Sequence, residues 1–293
     1  MRCKNAYFLS KSISFAAMNN PETLHFKDGD FTQGNAGDSE LLIQVSPSRL
    51  SYAVISDRKE VIVLYDTSLQ KPLSGTLEEL VATNELLNFI YKNVRIAVES
   101  FNFSFLPEEV YPKAQSDVIA PLISKSKENE IFTSQIKKAG IKSFFSLPDQ
   151  LVKALQSAST DAILYSQAEP FITGILSAYQ GSNKIFMNIN PTEFEIASIS
   201  EKGLSFYNIF KHDNADDFNY YLLYVLQELN LTENLPELVL SGHIVAGDII
   251  YKRIEKYFDK ISFAESSVVA LPAALNKDLI SRFFSLFALS LCE

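Results

Sequence analysis

The sequence predicts a two-domain α/β protein, each domain a mixed sheet flanked by helices and both built from one repeated unit. Three observations lead there. At 293 residues the chain is about twice the length of a common single domain. Short runs rich in β-branched and aromatic residues alternate along it with longer runs of helical period. One strand-turn-strand stretch also recurs. With Gln44 set on Asn188, Ile43-Gln44-Val45-Ser46-Pro47-Ser48 lies over Met187-Asn188-Ile189-Asn190-Pro191-Thr192, and Ala53, Ile55 and Ser56 lie over Ala197, Ile199 and Ser200. Internal similarity of this kind dictates architecture before any local propensity does.

The elements follow in order. Residues 1–20 carry Arg2, Lys4 and Lys11 without an acid, and the apolar run Ile13–Met18 is too short for the centre of a signal sequence. They read as a disordered extension with Met18 as an alternative start, ordered structure beginning near Leu41. Leu41–Val45, Leu50–Ser56 and Glu60–Tyr65 are expected strands, joined by tight turns at Ser46-Pro47-Ser48 and Asp57-Arg58-Lys59 that favour an antiparallel meander. Thr76 and Glu79 form a capping box ahead of Leu80, Val81, Leu87, Ile90 and Tyr91 at helical spacing. Val94–Val98 reads as a buried strand.

The segment near 107–157 is punctuated by Pro107, Pro112, Pro121 and Pro148 and reads as a helical insertion. Its lysines suit a solvated face or a partner surface. Thr160–Tyr165 is an expected strand, and Glu169-Pro170 opens a helix to about Tyr179. Then the first pattern returns. Lys184–Ile189, Phe194–Ile199 and Leu204–Phe210 are strands, followed by a helix behind Asn214, Asp216 and Asp217 with Phe218, Leu222, Val225 and Leu226 on one face. Glu237–Leu240 is a strand, Gly247–Phe258 a helix, Ile261–Ala264 a strand, and a helix over Leu279–Leu291 closes the chain.

Composition narrows the chemistry. With 26 basic against 35 acidic residues, a net charge of −9 argues against nucleic acid, whose binding rests on Lys and Arg. Cys3 and Cys292 lie at opposite ends, and His25, His212 and His243 are scattered, so neither a disulfide framework nor a structural zinc site is expected. No apolar run is long enough to span a membrane, and a cytoplasmic setting is expected. There are only ten glycines, no two of which form a G-x-G, and neither G-x-S-x-G nor a P-loop occurs.

The duplicated unit resembles the superfamily of actin, the heat-shock chaperone ATPases and the sugar and acetate kinases, whose duplicated, ribonuclease-H-like domains clasp ATP. Gln44–Ser48 and Asn188–Thr192 match the two phosphate turns, and Val239-Leu240-Ser241-Gly242-His243 the adenosine segment. Glu169-Pro170 is similar to the Glu-Pro that opens the first connecting helix of the chaperones. More narrowly, the sequence resembles an uncharacterised bacterial domain-of-unknown-function family with an actin-like ATPase fold, down to the closing Leu286–Glu293. The resemblance implies residues 21–168 plus 275–293 as the first domain and 169–274 as the second. It implies ATP as the ligand, held by Gln44, Ser46, Ser48, Asn188, Asn190, Thr192, Gly242 and His243. It also places Glu169 facing the cleft as the catalytic candidate; read without the resemblance, Glu169 is a helix-start carboxylate.

The departures bear on function. Active members of the superfamily begin each turn with an aspartate and follow with a glycine against the phosphates. Here those positions hold Gln44 and Asn188, then Ser46 and Asn190. Amides are poor ligands for Mg²⁺, and Pro47 and Pro191 each remove a backbone donor. The expectation is a degenerate actin-like protein that serves as an interaction scaffold for a protein partner and binds nucleotide weakly. The alternative is an active ATPase or kinase using carboxylates outside the turns.

Overall fold

A computed structural model describes residues 23–69, 73–110, 121, 123–124, 126, 128–159, 161–231 and 235–293. The basic N-terminal stretch, with Met18, lies outside the described residues. The first sheet has six strands in the order β1-β4-β3-β2-β5-β9: β1 Leu24–Lys27, β2 Glu40–Val45, β3 Arg49–Ile55, β4 Val61–Ser68, β5 Asn93–Val98 and β9 Ile163–Ser166. Strands β2, β3 and β4 form an antiparallel meander, β1 adds antiparallel to β4, and β5 and β9 add in parallel on the other side. The second sheet has five strands in the order β12-β11-β10-β13-β14: β10 Lys184–Ile189, β11 Glu193–Ser200, β12 Gly203–Lys211, β13 Glu237–Gly242 and β14 Ile261–Phe263.

Leaving out β1, the sheets share one strand order and one pattern of directions. The agreement extends to register. Gln44 of β2 lies between Ser51 and Ala97, as Asn188 of β10 lies between Glu195 and Ser241. Each meander even carries a register shift at the same place, between Val54 and Ile55 in one and between Ser198 and Ile199 in the other. A bulge re-aims the strand beyond it, so both meanders bend alike.

Alternation of side chains gives each sheet two apolar faces. Leu41, Ile43 and Val45 pack outward against α2 (Leu73–Thr83) and α3 (Asp149–Ala158). Leu42 and Ala97 face inward, onto Leu286, Phe287 and Leu289 near the end of the chain. In the second sheet Ile185, Met187 and Ile189 pack outward on α5 (Ala215–Glu228), through Phe218, Leu222, Val225 and Leu226. Its start is capped as the sequence reads, the Asn214 side chain accepting from the amides of Asp216 and Asp217. The inward Phe186 and Val239 meet α4 (Ala168–Ala178).

Helix α4 and the terminal segment thus lie on the inner faces and cross each other at Gly174. A Cβ built there would stand 2.8 Å from the Cβ of Ala288 and 2.8 Å from the ring of Phe284. Gly174→Ala is therefore expected to lower stability by about 1–3 kcal/mol through overpacking, read as a shifted urea midpoint with an unchanged slope.

Four expectations are corrected. Order begins before Leu41. A turn of helix, α1, spans Gln33–Ala36, and β1 adds Leu24 and Phe26 to the apolar layer on the first sheet, from an alternation too short to signal a strand. Where it is described, the segment near 107–157 is not wholly the expected helical insertion: it contributes β7 Asn129–Ile136 and β8 Ile141–Pro148, which with β6 Phe103–Pro107 form a three-stranded antiparallel sheet ahead of α3. Central β8 buries Ser143, Phe144, Phe145, Ser146 and Leu147 in succession, which erases the period of two. The expected helix Gly247–Phe258 shrinks to α6, Tyr251–Ile254, because Gly247 sits at φ +87° and Asp248 folds back to accept from the Tyr251 amide. The final helix is broken into α7 Leu279–Arg282, α8 Phe284–Ala288 and a 3₁₀ turn over Leu289–Leu291.

Candidate functional site

The β2–β3 and β10–β11 turns meet across the molecule. The Thr192 hydroxyl donates to the Ser48 hydroxyl at 3.2 Å, so residues equivalent under the repeat touch. Each turn satisfies its own backbone. The Ser46 amide donates to the Arg49 carbonyl and the Asn190 amide to the Glu193 carbonyl, each at 2.9 Å. The Ser46 hydroxyl also accepts from the amides of Ser48 and Arg49. Pro47 and Pro191 have no N–H to offer.

Behind the turns lies a polar cavity of about 30 Å³, walled by Gln44, Ser46, Asn188, Asn190 and His243 among others. Asn188 is held at both ends of its amide: Nδ2 donates to Glu195 at 2.7 Å, and Oδ1 accepts from the Ser241 hydroxyl at 3.1 Å. Gly242, at φ +87°, passes so close that a Cβ would run into the Ile189 carbonyl and the Asn188 side chain. His243 follows, its Nδ1 3.1 Å from Asn190 and its Nε2 3.1 Å from Asp66. Burial holds this imidazole below its ordinary pKa, with Arg49 and Arg282 adding to the effect against the pull of Asp66. Nδ1 faces the Asn190 side-chain oxygen and Nε2 an Asp66 carboxylate oxygen, so both ring nitrogens look onto acceptors and the tautomer sets which of them donates.

Asp66 is a centre that the sequence reading did not single out. Fully buried at 0% exposure, it accepts from Arg49 Nη2 at 2.6 Å, Ser51 at 2.6 Å, Arg282 at 2.6 Å and His243. Burial alone would raise its pKa. The hydrogen bonds and charges of His243 and Arg49 outweigh that and hold the carboxyl well below the usual range. One carboxylate thereby ties β3 and β4 to the segment after β13 and to α7.

Three further carboxylates share the cavity: Glu99 beyond β5, and Glu193 and Glu195 of β11. Glu195 accepts from Tyr207 at 2.7 Å as well as from Asn188, yet burial dominates and pushes it up to about 8. Glu99 is raised by burial and by neighbouring Glu193, Lys211 opposing. The sequence held one signal for this group, two acids spaced by two on an otherwise apolar strand, Glu193-Phe194-Glu195-Ile196.

Glu169 is placed elsewhere. Buried in the first turn of α4, it accepts from the Ser134 hydroxyl of β7 and from the Ser166 amide at 3.2 Å. Its carboxyl borders Thr173 and Cys292, away from the two turns, and burial lifts it to about 7. The other eight singled-out residues gather about one closed junction. Among the described residues no cluster of His, Cys, Asp and Glu could hold a metal ion.

A family model described as protein of unknown function (DUF3822) matches residues 28–261, most of the chain. The chain belongs to that family. It is similar to a Bacteroides thetaiotaomicron protein with an actin-like ATPase fold and unknown function, at 20% identity and a TM-score of 0.75, covering 90% of this chain and 100% of the other. It is also similar to a solved PilM-PilN type IV pilus biogenesis complex, at 10% identity and a TM-score of 0.54, covering 86% of this chain and 97% of that one. No curated protein matches the sequence. The fold of this family member is therefore the actin-like ATPase fold, and among the described residues no helix is long and apolar enough to cross a membrane.

Proposed function

We propose that this protein is a degenerate actin-like member that works as a cytoplasmic interaction scaffold and not by turning over ATP. The supporting observation is the contact between Ser48 and Thr192, which closes the gap where phosphates lie in this fold. A site for a drug-sized ligand occupies about 300–1,000 Å³; the cavity directly behind the turns has only about 30 Å³, and the open concavity of about 470 Å³ beside Gly242 and His243 lies outside the two turns. The turn amides that would cradle phosphate are bonded within their own turns. Arg49 and Arg282, the cations an anion would seek, are taken up by Asp66. The two turns leave no room for phosphates between them in this closed arrangement, and binding that requires the halves to part is weak.

On this reading the repeat is an internal duplication, with residues 21–168 plus 275–293 as one actin-like unit and 169–274 as the other. The scaffold role takes its precedent from the pilus complex, in which a protein of this fold is assembled with a partner. That precedent is one of fold alone. A second reading draws on Glu99, Glu193 and Glu195, carboxylates outside the expected turn positions that face the same cavity. It makes the protein an ATPase or kinase once the cleft opens.

Calorimetric titration with ATP and Mg²⁺, followed by a phosphate-release assay, separates the two readings. The expected result is no saturable heat at micromolar protein and no released phosphate. Micromolar Mg²⁺-dependent binding, with turnover abolished in Glu195→Gln or Glu169→Gln, would establish the enzyme reading instead.

A further inference from the structure

Helix α5 carries more apolar residues than its buried side uses. Phe218, Leu222, Val225 and Leu226 meet the outer face of the second sheet, and Tyr221 stacks on Phe210 at its margin. On the opposite side Tyr220 is 65% exposed, Leu223 41% and Tyr224 47%. A helix that is apolar nearly all round is ordinarily covered all round, and the described residues cover this one on one side. Tyr220, Leu223, Tyr224 and Gln227 follow at three- and four-residue spacing, so the uncovered residues form one stripe. Tyrosine suits such a place, because its ring offers contact area at small entropic cost while the phenol stays wet.

The charge around the stripe has one sign. Between Lys211 and Lys252 the sequence has neither Lys nor Arg, while Asp213, Asp216, Asp217 and Glu228 stand on or next to α5. Asp216 and Glu228 mark the two ends of the stripe, about 18 Å apart along the helix axis. Arg253 of α6 pairs with Asp216, and Asp217 accepts from the Asp213 amide and the Asn214 side chain. Asp213 and Glu228 are exposed. Two copies of this helix laid side by side, parallel or antiparallel, set acid against acid. Anionic lipid and nucleic acid meet the same repulsion. What complements the stripe is a segment with aliphatic residues at helical spacing and Lys or Arg at its ends, cations that also favour the faces of the two tyrosine rings.

We propose that the exposed face of α5 is a docking surface for a basic amphipathic helical segment of another protein. It gives the scaffold role a surface and rests on that reading. None of the residues of this face lines the cavity behind the two turns.

Peptide titration of the full chain tests it. The chain has no Trp, so a single Trp in a synthetic peptide of about 18 residues, with Leu and Lys at helical spacing, reports binding through its own emission. Saturable binding in the micromolar range is expected. It is expected to weaken at least about tenfold in Tyr220→Ala/Tyr224→Ala and to stay unchanged in Ile90→Ala, a change at an exposed apolar position outside α5. Both tyrosines are exposed, so the urea midpoint of the double variant should match that of the parent. A peptide with Glu in place of Lys is expected not to bind. Equal binding by the parent and the double variant overturns the proposal, as does equal binding of the Glu peptide. So does a dimer of the parent that the double variant abolishes, which assigns the face to a second copy of the chain. Failure of the peptide while ATP also stays unbound strikes out this surface alone, whereas ATP binding with turnover strikes out the scaffold reading itself.

Discussion

Asp66→Asn is expected to lower the unfolding free energy by about 3 kcal/mol. Removing one partner of a buried ion pair typically costs about 3–5 kcal/mol because the other charge stays behind unpaired. Here two guanidinium groups, Arg49 and Arg282, are left facing an amide. The lower end applies because the Arg282 side chain keeps 35% of its surface exposed and can seek water. Urea unfolding at neutral pH measures the effect, and a loss under about 1 kcal/mol would contradict the role given to this carboxylate. The pH dependence has a definite sign. A carboxyl depressed in the fold contributes fully above its unfolded pKa of about 3.9 and loses that contribution as pH falls below it. Parent and variant should therefore converge on acidification below about pH 4.

The second large effect runs the other way. Glu195 is raised from 4.5 to about 8, so the fold prefers it protonated while the unfolded chain ionises it from about pH 4.5 upward. Its contribution is present at low pH and is lost progressively as pH rises toward 8, Glu99 acting in the same direction. Each pKa unit corresponds to about 1.4 kcal/mol, so the combined decline between pH 5 and 9 is of the order of a few kcal/mol. The groups facing the cluster are Asn188, Tyr207, Glu193 and Lys211, of which Lys211 alone is a cation. Glu195→Gln, which cannot ionise, is expected to flatten the profile and to exceed the parent in stability at pH 9. An equally steep decline in the variant would show that another group carries it.

Much of the architecture was legible because the two sheets share one strand pattern. Gln44 and Asn188 sit at equivalent register positions, and the Pro47 and Pro191 turns align, so a short match fixed the relation between the two meanders. The buried strands and the Asn214 cap followed from local chemistry. The third sheet was not legible, since consecutive buried residues on β8 and prolines at the ends of β6 and β8 mimic a broken helical stretch. The polar junction was half legible. His243 and Asn190 were reached through the turns, but Asp66, Arg49 and Arg282 come together only through partners far apart in the chain. Glu169 shows the converse, a residue whose sequence context fits the fold while its side chain turns to Ser134.

The inner face of the first sheet has a consequence for the order in which the molecule can be made. Leu42, Ala53, Ile55 and Leu64 emerge early from the ribosome, yet their cover is Phe283, Leu286, Phe287 and Leu289. The inner face of the second sheet, by contrast, finds most of its cover in Phe171, Ile172 and Ile175 of α4, which precede it in the chain. During vectorial synthesis the inner face of the first sheet thus stays bare until residues 283–289 clear the exit tunnel. Long-range closure of that kind slows folding and prolongs the exposure of aggregation-prone surface. Strands β2 to β4 are accordingly the part of this chain whose apolar inner face waits longest for its cover.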